Sequence, residues 1–230
     1  MKKKAIHFGV DTAVGDIEPV FFDSIKDAGY YHLLSNEKGF ESCVQTSDLT
    51  PISNATIKEQ LKQLSVDGGS EPGVYFISLT AHSTLGRRRF RISSKPTFNK
   101  HLTLHNDNVF GWHDLTECLS YFSKNDHVFF LITDLKRGKR GQVPSFVSRF
   151  KPSHKVQAKA VVLSLSLDRT LDDGALPLSL TSDINVVLNS AKTIGDLVSN
   201  LDALYGEKSK VRPAVFHFNL AEENRFFLNN

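Results

Sequence analysis

Four short, almost unbroken apolar runs govern what this chain can become: residues 4–10 (KAIHFGV), 74–79 (VYFISL), 128–132 (VFFLI) and 160–167 (AVVLSLSL). None alternates apolar with polar as a strand with one wet face does. Each therefore suits a strand covered on both sides, as in a parallel sheet between helical layers. The segments between them carry the helices. Phe21, Ile25, Ala28 and the Leu33/Leu34 pair recur at helical spacing over residues 20–34, with Asn36 and Gly39 as stop signals. Ser53 or Asn54 can cap a helix whose face holds Ile57, Leu61 and Leu64. Residues 114–122 read as a short amphipathic helix with Leu115, Cys118 and Leu119 inward. Residues 181–189 and 193–204 are helical, the second with Ile194, Leu197, Val198 and Leu201 on one side. Short strands are expected at 42–46, 215–218 and 225–228, and a long polar loop with room for a hairpin over 86–108. Strands and helices alternating at crossover spacing give an α/β fold with a mostly parallel central sheet.

Composition narrows the function classes. The chain has 230 residues, 40% hydrophobic and 23% charged, with seventeen Phe, which fits a packed core and excludes disorder. No apolar run approaches the ~18–20 residues that span a bilayer, so no membrane association is expected. Met1 and Lys2–Lys4 lead into a strand pattern, not an export signal. Two cysteines, Cys43 and Cys118, are too few for a disulfide framework and lack metal-ligand spacing; they read as buried structural thiols in a cytoplasmic protein. No metal or cofactor is expected. The net charge of +3 is mild but uneven. Arg87, Arg88, Arg89 and Arg91 form one basic run; Lys136, Arg137, Lys139 and Arg140 form another, with Arg149, Lys151 and Lys155 beyond. Solvated loops are the plainer reading, and a rim for an anionic partner is the rival.

Ligands of open parallel sheets bind off the carboxyl ends of the strands. Two strands here end in polar residues: Thr80-Ala81-His82-Ser83, and Thr133-Asp134-Leu135-Lys136-Arg137-Gly138. With these in place, the order of segments resembles the caspase/metacaspase superfamily over nearly the whole chain. KAIHFGVDTA is similar to its opening strand and SIKDAG to its Cys-x-x-Asp-Ala helix motif. TPISNATIKEQLKQL is similar to the helix before the histidine strand, VYFISLTAHST to that strand, and VFFLITDLKRG to the strand bearing the nucleophile. AVVLSLSLDRT, TIGDLVSNL and RPAVFHFNLAEENRFFL are similar to the small-subunit elements. The resemblance implies a three-layer α-β-α sandwich forming one domain over 1–230. Within it, residues 1–140 are large-subunit-like, 141–155 a basic linker and 156–230 small-subunit-like.

The resemblance also implies site roles. His82 matches the general base. Aligning Asp134 puts Lys136 at the nucleophile position, and a slip of one puts Leu135 there; neither side chain supplies a thiolate. Ser83 replaces the glycine that follows the histidine. Asp27 and Asp134 match two carboxylates that line a pocket for a basic side chain, with Ser24 in place of the helix cysteine; the alternative is an internal ion pair in which Lys136 fills that pocket. Lys26 is the nearby cation of that helix. These residues lead to a non-catalytic, pseudo-protease reading: a binding or regulatory module for a protein or peptide partner, an active relative among the candidates. The alternatives are a cysteine-independent or basic-specific peptidase using Ser83 or Thr80, and an anion- or nucleic-acid-binding domain using the basic rim.

Overall fold

The computed structural model describes residues 1–10, 23–46, 52–67, 71–88, 97–103, 109–137, 154–169, 178–205 and 211–229. At 23, 82–88, 97–103, 109, 134–137, 166–169, 178–182 and 211–212 the description is of backbone. The elements are β1 (Lys2–Val10), α1 (Asp23–Glu37), β2 (Glu41–Thr46), α2 (Asn54–Asp67), β3 (Gly73–Arg88), β4 (Thr97–Thr103), β5 (Val109–Phe110), α3 (Trp112–Ser120), β6 (His127–Arg137), β7 (Lys159–Arg169), α4 (Leu178–Ser190), α5 (Ile194–Leu204) and β8 (Val211–Phe218). A 3₁₀ turn follows at Phe227–Asn229.

The sheet runs β2-β1-β3-β6-β7-β8, with β4 and β5 hanging from β3. The first five strands of that order are mutually parallel, and β8 closes the edge antiparallel to β7. The four apolar runs become β1, β3, β6 and β7, because only helices on both faces can dry such segments. Side chains alternate between two cores. Val74, Phe76, Phe129 and Leu131 pack with Tyr31 and Leu34 of α1, Ile184 and Leu188 of α4, and Leu197 and Leu201 of α5. Tyr75, Ile77, Val128 and Phe130 pack on the other face with Ile57 and Leu61 of α2 and with Leu115, Cys118 and Leu119 of α3. Phe8, Phe76, Phe129 and Phe130 are fully buried, each worth on the order of 2–3 kcal/mol of transfer free energy.

Local chemistry sets the helix ends. Ser53 caps α2: its Oγ accepts from Thr56 N at 3.1 Å, while Thr56 Oγ1 accepts from Ser53 N at 3.3 Å. Thr193 caps α5 in the same reciprocal way with Asp196. Gly39 takes a φ of 76° as the chain leaves α1. Gly9 of β1 lets the first turn of α1 lie directly on the sheet, since a Cβ there would meet Ser24 O at 2.5 Å and Ile25 Cα at 2.9 Å.

Three expectations from sequence need correction. The histidine strand does not stop near Leu79: β3 continues to Arg88 and pairs antiparallel with β4. Backbone pairing with β4 supports strand structure beyond the helical layers, where polar residues give no apolar period to read. Residues 225–228 form no strand. Arg225 makes one isolated bridge to Thr193, and the next residues turn. Phe226, Phe227 and Leu228 are all buried, and three consecutive inward side chains suit a turn, not alternation. Leu33 is 60% exposed while Leu34 is buried, so of that pair only Leu34 serves the core of α1.

Candidate functional site at the carboxyl edge of the sheet

Parallel pairing sets the edge residue by residue. Gly9 lies beside Thr80, and Thr80 beside Thr133; Ala81 is paired with Asp134, His82 with Leu135 and Ser83 with Lys136. The register thus puts the backbones of His82, Ser83, Asp134, Leu135 and Lys136 together. The helix that follows β1 delivers its N-terminal end to the same edge. Tyr31 of α1 is fully buried, and its hydroxyl lies 3.3 Å from Thr133 Oγ1. Asp27, one turn earlier on the same face of α1, is half-buried and contributes with burial to holding the Tyr31 phenol well above its ordinary range. Ser24 and Thr80 are also buried, so the edge is polar beneath its rim. Thr80 Oγ1 has no hydrogen-bond partner among the described residues. Lys26 points to solvent.

His82 is not at a strand terminus. It is paired with Thr103 of β4 as well as Leu135 of β6, and Ser83 with Leu102 as well as Lys136. A residue with strands on both sides has its backbone polar groups committed to ladders. That differs from an open amide aimed at an oxyanion.

Neither thiol of the chain is at this edge. Cys43 of β2 is paired with Ile6, and Ile6 with Ile77. From residue 77 to His82 is ~17 Å along the strand, and two strand spacings of ~4.8 Å lie across it. Cys118 is fully buried in the α2/α3 core. Burial pushes the Cys118 thiol upward in pKa, and the partial desolvation of Cys43 beside β1, with Glu41 nearby, moves it the same way, opposite to an activated nucleophile. The expectation of two buried thiols holds for Cys118 and fails for Cys43, which is exposed. Cys43 follows Ile6 onto the α2/α3 face, but β2 is the edge strand and is flanked by β1 alone.

Of the basic runs, Arg137 ends β6 at this edge, while Arg87 and Arg88 end β3 farther along, on the ribbon paired with β4 beyond the Ser83–Lys136 pair. Arg89, Arg91, Lys139, Arg140, Arg149 and Lys151 lie outside the described residues.

Two polar clusters were not anticipated. His7, in the middle of β1, is fully buried with Nδ1 2.9 Å from Ser78 Oγ and Nε2 2.8 Å from Ser35 Oγ. Ser35 Oγ lies 2.9 Å from Ser42 Oγ, and Ser42 Oγ 2.8 Å from His32 Nδ1, so hydroxyls and imidazoles run from the core to the surface. Burial first, and His32 second, hold His7 at a pKa of about 3. The second cluster joins His113 and Glu117 of α3 to His154, with one ligand atom of each lying within 4.8 Å of the others. The i, i+4 spacing of His113 and Glu117 was visible in the sequence, but the distant third partner was not.

No family model matches the sequence, and no curated protein matches it. Solved structures do. Protein GSU0716 from Geobacter sulfurreducens superposes with a TM-score of 0.65 at 12% identity, covering 94% of this chain and 93% of that one. Caspase-1 from Spodoptera frugiperda gives 0.57 at 13% identity over 94% and 86% of the two chains. The Drosophila initiator caspase Dronc gives 0.56 at 11% over 98% and 81%. The chain has a caspase-like fold. At these identities the caspase-like likeness is one of architecture: the parallel sheet, its two helical layers and the antiparallel closing strand. Among the described residues no helix is long and apolar enough to cross a membrane.

Proposed function

We propose that this caspase-like chain is a pseudo-protease: a non-catalytic module that binds a protein or peptide partner through the carboxyl edge of its sheet and regulates it. An active caspase-like protease is the partner class this reading puts first. The observation that carries the reading is the placement of the thiols. Leu135 is paired with His82 and Lys136 with Ser83, while Cys43 and Cys118 lie elsewhere with their pKa values raised. Leucine has no nucleophile. Lysine acylated by a peptide would form a stable amide and would not turn over. Asp27 and Asp134 are the proposed recognition carboxylates, with Ser83 and Lys136 beside them. The two cysteines, neither in a disulfide, fit a reducing, cytoplasmic setting.

The test is peptidase activity. Purified protein is incubated with fluorogenic peptides ending in Arg, Lys or Asp, with and without calcium, alongside His82→Ala. No turnover above the variant is the expected result. Turnover that disappears in His82→Ala would replace this reading with that of a cysteine-independent peptidase. Pull-down from the host with wild type and an Asp27→Ala/Asp134→Ala variant addresses the partner. A protein retained by the first and lost by the second is expected; identical retention removes the acidic pocket from the proposal.

One observation favours a second reading, an anion-binding rim: Arg87, Arg88 and Arg137 occupy the ends of adjacent parallel strands. Phosphate-backbone binding weakens steeply with salt, so a gel-shift series against ionic strength separates it from protein recognition. Absence of binding at low salt ends that reading.

A further inference from the structure

We infer that His113, Glu117 and His154 form a binding site for a divalent transition metal, Zn²⁺ by ligand type, that ties the segment entering β7 to helix α3. Cysteine spacing, on which the expectation of no metal rested, does not report on a set of two histidines and a carboxylate. The site stands away from the carboxyl edge and does not depend on the reading of the chain as a pseudo-protease.

The ligands are of the right kind and are held from several sides. Two imidazoles and one carboxylate are a set that zinc accepts, with a fourth position left for water. His113 and Glu117 are one helical turn apart and face the same way. His154 comes from a distant part of the chain, yet its ring centroid lies 4.7 Å from that of His113. All three ligand atoms fall within 4.8 Å of one another. Ligands at ~2.0–2.1 Å around a tetrahedral ion sit ~3.4 Å apart, so closure from a spread of 4.8 Å needs up to ~1.4 Å of movement. His113 is exposed, and a change in its side-chain torsions spans that distance.

The supporting contacts match what a metal-binding carboxylate needs. Tyr121 OH donates to Glu117 Oε1 at 3.0 Å, and Lys58 Nζ lies 2.7 Å from Oε2. Each carboxylate oxygen accepts in two directions, so one direction on each stays available while these donors fix the group. Lys58 is also 2.9 Å from Asp114 Oδ1. One ammonium against two carboxylates leaves a net negative charge before any ion arrives. On the other side, Asn219 Nδ2 donates to the carbonyls of Val156, Gln157 and Ala158 at 3.1, 3.1 and 2.9 Å, and Ala158 is fully buried. The strand entry is thus anchored just beyond His154. A bound ion would close the loop between α3 and β7 and restrict the unfolded chain.

The test uses the full, untagged chain in a Cys43→Ser background, which removes the exposed thiol. After chelator treatment and dialysis, Co²⁺ is titrated while visible d–d absorption is followed. Tetrahedral-intensity bands that saturate at one equivalent and are displaced by Zn²⁺ are expected. His113→Ala and His154→Ala should each weaken binding by more than ~10-fold, and Tyr121→Phe by ~10-fold through loss of the orienting hydroxyl. His217→Ala, an exposed histidine elsewhere, should bind as the parent does. Circular dichroism of the metal-free variants confirms that each is folded. Zn²⁺ should raise the melting temperature of the parent and not that of His113→Ala. Absence of the bands, or binding undiminished in folded His113→Ala, overturns the inference.

Discussion

Acidification from about pH 8 to about pH 5 will tax this fold at His7. The imidazole is fully buried between two hydroxyls, and its pKa lies near 3 against an ordinary value of 6.5. The folded value is the lower one, so between these limits the unfolded chain binds the proton and the native chain does not. Stability therefore rises with pH: the contribution is intact above about 6.5 and is lost progressively as pH falls toward 3. At about pH 5 the loss is 1.5 pH units at 1.36 kcal/mol each, or ~2 kcal/mol. For a domain with the usual few kcal/mol to spare, that is a large fraction. The neutral ring fits its neighbours. One nitrogen donates and the other accepts, which matches a Ser78 hydroxyl on one side and the Ser35 hydroxyl on the other.

Urea unfolding of wild type and His7→Gln at the two pH values isolates this term, because other titrating groups appear in both proteins and cancel. Glutamine can still donate and accept but cannot take up the proton. The variant is expected to be less stable at about pH 8 because it fits the site less well. It should then lose ~2 kcal/mol less than wild type on acidification. Equal losses in the two proteins would refute the assignment of His7 as a buried neutral ring.

Gly9→Ala should destabilise by ~2–3 kcal/mol or more in thermal melts, since the new methyl meets the backbone of Ser24 and Ile25 and no flexible side chain can yield. Thr193→Ala removes the acceptor of Asp196 N at 3.0 Å and should cost ~1 kcal/mol by urea titration. Asp126→Ala strips acceptors from Gly73 N and Ser123 N, at 2.9 and 2.7 Å, and should cost ~3 kcal/mol in the same assay. A thiol reagent should modify Cys43 alone in the native protein, and both cysteines in denaturant. Rapid native reaction of Cys118 would contradict its burial.

What the sequence made legible follows from where water is excluded. Residues 74–79, 128–132 and 160–167 are apolar because helices cover them on both faces, and each lies inside the strand observed. Ser53 and Thr193 announced helix starts because a cap is local chemistry. The β3–β4 ribbon was legible only as room for a hairpin over 86–108; its start at His82 was not, since it is held by backbone pairing, which every sequence can offer. The exposure of Cys43 depends on the place of β2 at the sheet edge, a fact about strand order. His7 read as part of an apolar run, because the hydroxyls that satisfy it come from α1 and β3. His113 and His154 meet only when the chain folds.

The proposed function hangs little on alignment at the edge of the sheet. Sequence left Lys136 and Leu135 as rivals for the nucleophile position. Pairing puts Leu135 beside His82 and Lys136 beside Ser83, and β4 closes the opposite side of both. A slip of one residue exchanges an alkyl chain for an ammonium, and neither releases an acyl group. For catalysis by thiolate, a cysteine would have to reach His82 from β2 or from within α3. Moving Cys43 there means sliding β2 by about five residues past β1, and an odd shift of that kind turns every side chain of the strand to the other face. Moving Cys118 means unpacking the α2/α3 core around Leu115 and Leu119. Either rearrangement disturbs the packing or register around the strand that carries His82, which is why the proposed function assigns no thiol chemistry to this edge.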